Sequence, residues 1–342
     1  MKQKLTMLLF SLSLLVVSGC REFYDYINDV EPEILKVKDF ATGLNNPIGL
    51  AMDDKEQLWV TEIGTGNDDG KVSVFTPNGT KYVVIDNFPS FMGPGGPEEI
   101  VGLNKLLIKD KMLYILHTNG FLYKADISSF NLGSTPMQAS ALPKENIGTF
   151  VLNYPFEVPA EESNPFDLTT GPQGDLYITD AAANAVIHRT SSGNLSVFAT
   201  FPNLNNPIPV GPPTIHAVPT GIAFVDQKFY VSNLTGFPFP TGKARVYTVD
   251  LSGKITSFQE GFTTLTGLTL DPVNSPVVVE HAQFTLEGGF NPNTGRVVVA
   301  TPTGMSTIAS GLNLPTSVVR SGLITYYVNS LADGKIIKVT TD

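Results

Sequence analysis

Short stretches of alternating apolar and polar residues repeat along most of this chain. Four of them have the pattern of antiparallel hairpins, with β-branched or aromatic residues at alternate positions on either side of a glycine-bearing turn. These hairpins begin at Lys71, Ala185, Arg245 and Arg296. A second recurring unit is a short turn leading into an apolar strand and then into a strand rich in Tyr, Val and Ile. Together the two units predict sheets of four antiparallel strands, called a to d here.

The second unit recurs six times, which predicts six similar sheets. The small or turn residues that open it are separated by 46 to 65 residues and are Gly49, Gly102, Asp167, Gly221, Gly267 and Ser317. One four-stranded sheet cannot bury both of its faces, so neighbouring sheets must pack around a closed ring. We therefore predict an all-β chain in which residues 34–342 form a six-bladed β-propeller with strand a nearest the axis.

The two ends of this repeat are complementary. Residues 335–342 have the pattern of a third strand with no fourth strand after it, whereas residues 34–44 have the pattern of a fourth strand and precede the first unit. We predict that these two segments pair, which closes the ring and leaves no free sheet edge there. A β-sandwich or an open set of sheets would not predict this pair of half-blades.

Composition agrees with this fold and limits the partners. The 31 glycines and 25 prolines divide the chain into short segments, and 42% hydrophobic residues with 16% charged residues are typical of a folded core. The net charge of -10, without a Lys/Arg cluster, argues against nucleic acid as a partner. We expect a monomer.

The first residues resemble a bacterial lipoprotein signal peptide. Lys2 and Lys4 precede an apolar run over residues 5–17, and small residues lead to Cys20, the only cysteine. A lone cysteine excludes an internal disulfide and a CxxC site. Thirteen apolar residues span roughly 20 Å as a helix, less than the ~30 Å of a bilayer core.

This resemblance implies that Cys20 carries the lipid and becomes the new N-terminus. We expect a signal peptide over residues 1–19, an acidic tether over residues 20–33, and a propeller held by a lipid anchor on a bacterial membrane. The predicted location is extracytoplasmic, either periplasmic or at the cell surface.

The segment 218–250 resembles the ScyD/ScyE family of extracytoplasmic propeller proteins, named for the gene cluster of the pigment scytonemin. The motif LTGFPFP followed by GKARVY carries the resemblance, and TEIGTG, ESNPFDL, TDAAANAV and GFTTLTGL agree with it elsewhere. It covers nearly the whole chain after the signal peptide and implies a six-bladed propeller related to NHL and SMP-30-like folds. The family implies no defined reaction, and the lipobox departs from members that are simply secreted, so a role in pigment synthesis is not carried over.

Polar residues end each predicted b strand, on the face where the long connections gather. The candidate ligand-binding residues at the mouth of the channel are Glu62, Asn119, Asp180, Asn184, Asn233, Glu280 and Asn329. One interpretation is a ring of oxygen ligands for a hard cation such as Ca²⁺, with Glu62, Asp180 and Glu280 as candidate metal ligands. The other is turn chemistry, in which these side chains bind nearby backbone.

Two functions follow from these patterns. The first is a binding module that presents its loop-rich face to a small molecule, a glycan or a protein. The second is a calcium-dependent lactonase or hydrolase of SMP-30 type, although no carboxylate or amide occurs at the positions that correspond to that family's metal ligands: Ile48, Val101, Phe166, Thr220, Thr266 and Thr316.

Catalytic residues stay unassigned. The chain has no nucleophile, zinc or phosphate-loop motif, and the four histidines fall in different units, at His117, His188, His216 and His281. The apolar run FPFP at residues 237–240 predicts either an exposed recognition surface or a segment that folds back over the channel.

Overall fold

The structure is a computed structural model that describes residues 35–93 and 96–341, without the side chains of residues 96–98. The expected signal peptide, the tether and Cys20 lie outside these residues. Within the part that is described, no helix is both long enough and apolar enough to cross a membrane.

The strands form a six-bladed β-propeller, as the repeat predicts. The first strand is β1, Lys36–Thr42. Blade 1 contains β2 (Pro47–Met52), β3 (Leu58–Glu62), β4 (Gly70–Phe75) and β5 (Lys81–Phe88), and a hairpin of β6 (Phe91–Gly93) and β7 (Gly96–Val101) follows it. Blade 2 begins with β8 (Leu103–Lys109), β9 (Met112–His117) and β10 (Phe121–Asp126).

Blade 2 is the irregular one. Before its fourth strand, the chain adds β11 (Met137–Gln138) in parallel to β5 of blade 1 and makes a 3-10 turn, Ala139–Ala141. Only then does β12 (Lys144–Asn146) complete blade 2, followed by the helix α1 (Ile147–Asn153). The excursion therefore ties the outer edge of blade 1 to the chain of blade 2.

The remaining blades follow in order. Blade 3 contains β13 (Pro165–Thr170), β14 (Leu176–Asp180), β15 (Ala185–Arg189) and β16 (Leu195–Thr200), with a 3-10 turn at Pro172–Gly174. A small ladder of β17 (Leu204–Asn205) and β18 (Thr214–Ile215) precedes blade 4, which contains β19 (Pro219–Val225), β20 (Lys228–Asn233), β21 (Ala244–Asp250) and β22 (Ile255–Phe262).

Blade 5 contains β23 (Leu265–Leu270), β24 (Pro276–Glu280), β27 (Gly295–Thr301) and β28 (Gly304–Leu312), with the hairpin β25 (Phe284–Thr285) and β26 (Gly289–Phe290) between its second and third strands. Blade 6 contains β29 (Pro315–Ser321), β30 (Thr325–Ser330) and β31 (Lys335–Thr340).

The first strand of the described chain closes the ring, as predicted. Strand β1 pairs antiparallel with β31, with Lys36 opposite Thr340 and Thr42 opposite Lys335. The ring of Phe40 packs edge-on against Tyr327 of blade 6 at 4.8 Å between centroids. Blade 6 therefore contains strands from both ends of the propeller, and the outer edge of β31 is paired.

A hydrophobic cluster fills each interface between neighbouring blades. Among the described residues these clusters number six, one for each pair of adjacent blades around the ring. The cluster between blades 6 and 1 includes Val60, Tyr327 and Ile336, all buried. Since each blade buries both faces only against its two neighbours, closing the ring completes the core.

An ion-pair cluster fastens the short fourth strand of blade 2 to blade 3. Arg189 of β15 donates from Nε and Nη2 to the two carboxylate oxygens of Glu145 in β12, both at 2.6 Å, and Lys124 of β10 donates to the same carboxylate at 2.6 Å. The Arg189 hydrogen bonds, with help from Lys124, lower the pKa of Glu145 to about 2. This bidentate contact links two blades.

We expect this cluster to make the free energy of unfolding depend on pH in the acid range. Because the folded-state pKa of Glu145 lies below its usual value of 4.5, its contribution is fully present above that value and is lost as the pH falls toward about 2. Unfolding midpoints measured across this window should show a smaller pH dependence for Glu145→Gln than for the native chain. Glu287→Gln, at an exposed carboxylate, should keep the native profile. Equal profiles for Glu145→Gln and the native chain would contradict the assignment.

Candidate functional site

A buried lysine side chain lies at the centre of the propeller. Lys105 of β8 lies 3.3 Å from the Asp167 carboxylate of blade 3 and donates at 2.7 Å to the carbonyl of Thr266 in blade 5, the blade opposite its own. Both charged side chains are buried. Burial raises the pKa of Asp167 and lowers the pKa of Lys105, while their mutual attraction opposes both shifts. At this level the axis is occupied by the protein itself.

Lys105 also corrects the sequence alignment of blade 2. Leu106 pairs with Ile115, which places Lys105 at the position that Gly49 holds opposite Thr61 in blade 1. The opening residue of blade 2 is therefore Lys105, and the expectation of Gly102 was wrong. The Gly-Leu pair at 102–103 imitates the other blade openings, but the pairing of Leu103 with His117 and of Leu106 with Ile115 sets the register three residues later.

The same register changes two of the predicted residues at the ends of the b strands. Strand β9 ends at His117 opposite Leu103, and β30 ends at Ser330 opposite Pro315, as β3 ends at Glu62 opposite Pro47. The equivalent positions are therefore Glu62, His117, Asp180, Asn233, Glu280 and Ser330. Asn119 is exposed in the turn after His117, and Asn329 is fully buried one residue before the end of its strand.

The glutamates at these positions fasten the chain segment that enters strand a. The Glu62 carboxylate accepts a hydrogen bond from the Asn45 backbone N–H at 3.0 Å and contacts Lys81 Nζ at 2.7 Å. In the same way, Glu280 accepts from the Thr263 backbone N–H at 2.8 Å and pairs with Arg296. Each carboxylate thus caps the loop that leads into its own blade and has a cationic partner.

Asp180 and Asn233 act similarly without a cation. Asp180 accepts from the Asn164 backbone N–H at 3.0 Å and from the Ser163 hydroxyl at 2.6 Å. Asn233 donates to the Ala217 carbonyl at 2.7 Å. These contacts are the side-chain-to-backbone chemistry that the sequence left open as an alternative to ion binding.

The three candidate metal ligands are not brought to one centre. Glu62, Asp180 and Glu280 belong to blades 1, 3 and 5, and each binds partners beside its own blade. Across residues 35–93 and 96–341, no group of three or more His, Cys, Asp or Glu side chains is arranged to hold a metal ion.

The six positions that correspond to the metal ligands of SMP-30-type lactonases lie around the axis, one in each blade, and are called the belt here. The corrected register replaces Val101 with Asn104, so an amide does occur among them. Four of these side chains donate to the first carbonyl of strand a in the next blade, at 2.8 to 3.2 Å: Asn104, Thr220, Thr266 and Thr316. Their polar atoms therefore join blades around the axis.

A groove lies on the face where the b-to-c and d-to-a connections gather. Its volume is about 1030 Å³. The residues lining it, called the loop groove here, are 156–162, Asn164, 181–184, 200–203, His216, Val218, Gly236 and Phe237. They come from the connections around blades 3 and 4, and this is the loop-rich face that the sequence predicts.

A buried amide holds a histidine in the loop groove. Asn184 Oδ1 accepts from the Val218 backbone N–H at 2.9 Å, so Nδ2 is the atom that faces His216 Nδ1 at 2.9 Å. Because an amide nitrogen can only donate, Nδ1 accepts and the proton of the neutral imidazole sits on Nε2. Within the described chain, Nε2 has no hydrogen-bond partner, and the side chain of His216 is exposed.

Of the predicted site residues, the loop groove contains only Asn184. His216 could not be singled out from the sequence, because its partner lies 32 residues away and no local pattern marks the pair. The FPFP segment contributes Phe237, whose side chain is 49% exposed, while Phe239 packs against Phe284 at 5.0 Å between ring centroids. His188 instead binds Asp175 at 2.8 Å and stacks on Tyr177.

No protein-family model and no curated protein matches the chain. Solved structures do. The PQQ-bound aldose sugar dehydrogenase of Streptomyces coelicolor matches with a TM-score of 0.59 at 16% identity, over 91% of this chain and 99% of that one. A gluconolactonase of Xanthomonas campestris matches with a TM-score of 0.56 at 11% identity, over 90% of this chain and 89% of that one. Virginiamycin B lyase of Staphylococcus aureus matches with a TM-score of 0.53 at 14% identity, over 90% of this chain and 99% of that one.

The matches show the fold. This chain is a six-bladed β-propeller whose structural neighbours are of the gluconolactonase and virginiamycin B lyase types. At 11 to 16% identity the likeness extends no further than the architecture. Membership of the ScyD/ScyE family stays a prediction.

Proposed function

We propose that this protein is an extracytoplasmic, lipid-anchored propeller of the ScyD/ScyE type that binds a small molecule in the loop groove. The observation that carries the proposal is the Asn184–His216 pair, because a buried amide fixes an exposed ring donor in a groove of about 1030 Å³. Ligand sites in proteins combine such a concave, partly apolar surface with a few fixed polar groups.

The shape of the groove favours a small molecule over a glycan or a protein. Its walls come from four connections on a rigid scaffold, which is a typical origin for binding sites. Its lining includes Ala181, Ala182 and Ala183, whose short side chains leave space between the loops. A volume of this size accommodates an organic molecule of ordinary size.

A calcium-dependent lactonase is the second function considered, and fewer observations support it. Glu62 and Glu280 already have cationic partners, and the belt around the axis uses the atoms that an ion would need. The structural neighbours include a gluconolactonase, which keeps the fold compatible with that chemistry. We therefore assign neither a calcium site nor catalytic residues to this chain.

Filling the loop groove should abolish binding. Ala182→Trp places an indole where a small side chain lines the groove, and we expect it to remove the contacts that a screen of aromatic and hydroxylated fragments makes with the native chain. Ligand-observed NMR measures this directly. Leu251→Trp, in the exposed turn between β21 and β22 on the opposite face, is the matched control and should bind as the native chain does. Fragments that bind both variants equally would place the site elsewhere.

The lipid anchor has its own test. In a bacterial host, the native chain should fractionate with membranes and incorporate labelled fatty acid, because a cysteine lipid anchors stably once two or more acyl chains are present. Cys20→Ser should abolish the label and release the protein from the membrane fraction. Ser18→Ala, a small residue two positions earlier, should leave both unchanged. Fatty-acid labelling that survives in Cys20→Ser would refute the anchor.

A further inference from the structure

Three carboxylates on one wall of the loop groove have no partner within the described chain. Glu157, Glu161 and Glu162 are exposed and line the groove, and none forms an ion pair or a side-chain hydrogen bond with another described residue. The exposed glutamate of another blade, Glu260, is by contrast paired with Arg245 at 2.7 Å. Among the described residues that line the groove there is no Lys or Arg.

This charge distribution selects among ligands. Like charges at close range repel and opposite charges attract, and a concave surface of one sign concentrates ions of the other sign. An anionic ligand would meet three negative side chains and no positive one in the described lining of this groove. A cationic ligand would meet its counter-charge there.

An aromatic side chain favours an organic cation over a metal ion. Phe237 borders the groove with 49% of its surface exposed, and its ring is supported by Phe239 and Phe284 at 6.2 and 6.1 Å between centroids. An exposed ring held in place by other rings can stack on an apolar body or face a cationic group. The groove also offers Phe156, whose ring lies 4.6 Å from that of Tyr154.

The histidine adds a directional requirement. With Nδ1 accepting from Asn184, the free ring atom of neutral His216 is Nε2–H, which donates. Its partner on a ligand must therefore be an acceptor. Because the glutamates that line the same groove disfavour a carboxylate or phosphate, that acceptor is a neutral oxygen such as an amide carbonyl or a hydroxyl.

From these features we infer that the loop groove binds a small organic cation that carries an apolar or aromatic body and a neutral oxygen acceptor. The glutamate wall meets the cationic group, the phenylalanines contact the body, and His216 donates to the oxygen. This inference rests on the proposed function of the groove and specifies its ligand class. Asn184 is a positioning residue, since it acts through His216.

A set of matched probes tests the ligand class. β-Alanine benzylamide, its N-acetyl derivative and the monobenzylamide of succinic acid share the benzyl group and an amide carbonyl, but carry positive, zero and negative charge at neutral pH. Titration of the full chain by NMR or calorimetry should give the cation an affinity about tenfold or more above those of the other two. The advantage should shrink as salt is added.

Variants separate charge from hydrogen bonding. Glu161→Gln with Glu162→Gln should reduce the preference for the cation, whereas Asp54→Asn with Asp226→Asn makes the same charge change in the exposed a-to-b turns of the opposite face and should not. His216→Phe keeps a ring and should weaken the cationic probe about tenfold by removing the donor. Asn184→Asp presents an acceptor to Nδ1, so the ¹⁵N shifts of His216 should report a proton moved to Nδ1.

The outcomes distinguish the ligand class from the location of the binding site. Equal or tighter binding of the neutral or anionic probe, lost in Ala182→Trp, would overturn the cation class and leave the groove as the binding site. Binding of the cationic probe that survives Ala182→Trp would overturn the groove itself. Absence of binding by all three probes up to their solubility limits would overturn the ligand class, and the fragment screen would then decide the proposed function independently.

Discussion

Lys105→Met should lower the free energy of unfolding by about 3–5 kcal/mol, the loss typical when one partner of a buried ion pair is removed. The substitution keeps an unbranched apolar side chain but leaves the Asp167 carboxylate buried without its cation and the Thr266 carbonyl without its donor. Chemical denaturation measures the loss. Lys109→Met is the matched control on the same strand, because Lys109 pairs with Asp110, whose side chain is 84% exposed. This substitution should lower the free energy of unfolding by less than about 1 kcal/mol.

A second substitution in the pair gives an internal check. Adding Asp167→Asn to Lys105→Met removes the unpaired charge, so the double variant should recover part of the lost stability. A double variant less stable than Lys105→Met, or a Lys105→Met loss as small as that of Lys109→Met, would show that the buried pair between the neighbouring blades 2 and 3 does not stabilise the propeller.

Removal of β1 should destabilise the propeller more severely than any single surface change. A chain that begins at Gly43 lacks the ladder with β31 and the contact between Phe40 and Tyr327. If the lost backbone hydrogen bonds contribute a net of about 1 kcal/mol each, the melting temperature should fall by roughly 10–20 °C. A chain that begins at residue 34 keeps β1 and is the control in differential scanning calorimetry.

The missing strand should also act when it is supplied separately. A peptide of residues 34–44 added to the shortened chain should raise its melting temperature with concentration, because a ligand that binds only the folded state stabilises it by mass action. A peptide of the same composition in scrambled order should not. If the shortened and control chains melted at the same temperature, β1 would not be needed to close the ring.

The fold could be predicted from the sequence because each blade repeats the same physical requirement. Alternating residues mark the strands, glycine turns separate them, and the unmatched segments at 34–44 and 335–342 reveal the closure. This reasoning was wrong in blade 2 and, by one residue, at the end of β30, where Ser330 rather than Asn329 ends the strand. The hairpin β6–β7 and the late strand β12 interrupt the repeat, and the Gly-Leu pair at 102–103 imitates a blade opening, so Gly102 and Asn119 were aligned in place of Lys105 and His117.

The candidate site was harder to predict, because it depends on contacts between distant segments. The sequence identifies Glu62 and Asp180 as acids at strand ends. Their hydrogen bonds with the backbone of Asn45 and Asn164 depend on the positions of the loops, which the sequence does not give. His216 and Asn184 lie on different connections, and nothing local links them. The residue pattern of a strand predicts where the strand ends. It does not predict which backbone group the side chain at that end binds.

Pairing between Lys36 and Thr340 also sets a condition on how the protein is made. A chain that leaves the ribosome or a translocation channel with its N-terminus first must hold β1 without its partner until about three hundred further residues have emerged. Joining such distant segments is slow, because the entropy of closing the loop is lost before the contact forms. During that interval an unpaired strand is open to association with other chains, so the yield of folded protein should depend on how quickly synthesis reaches its last strand.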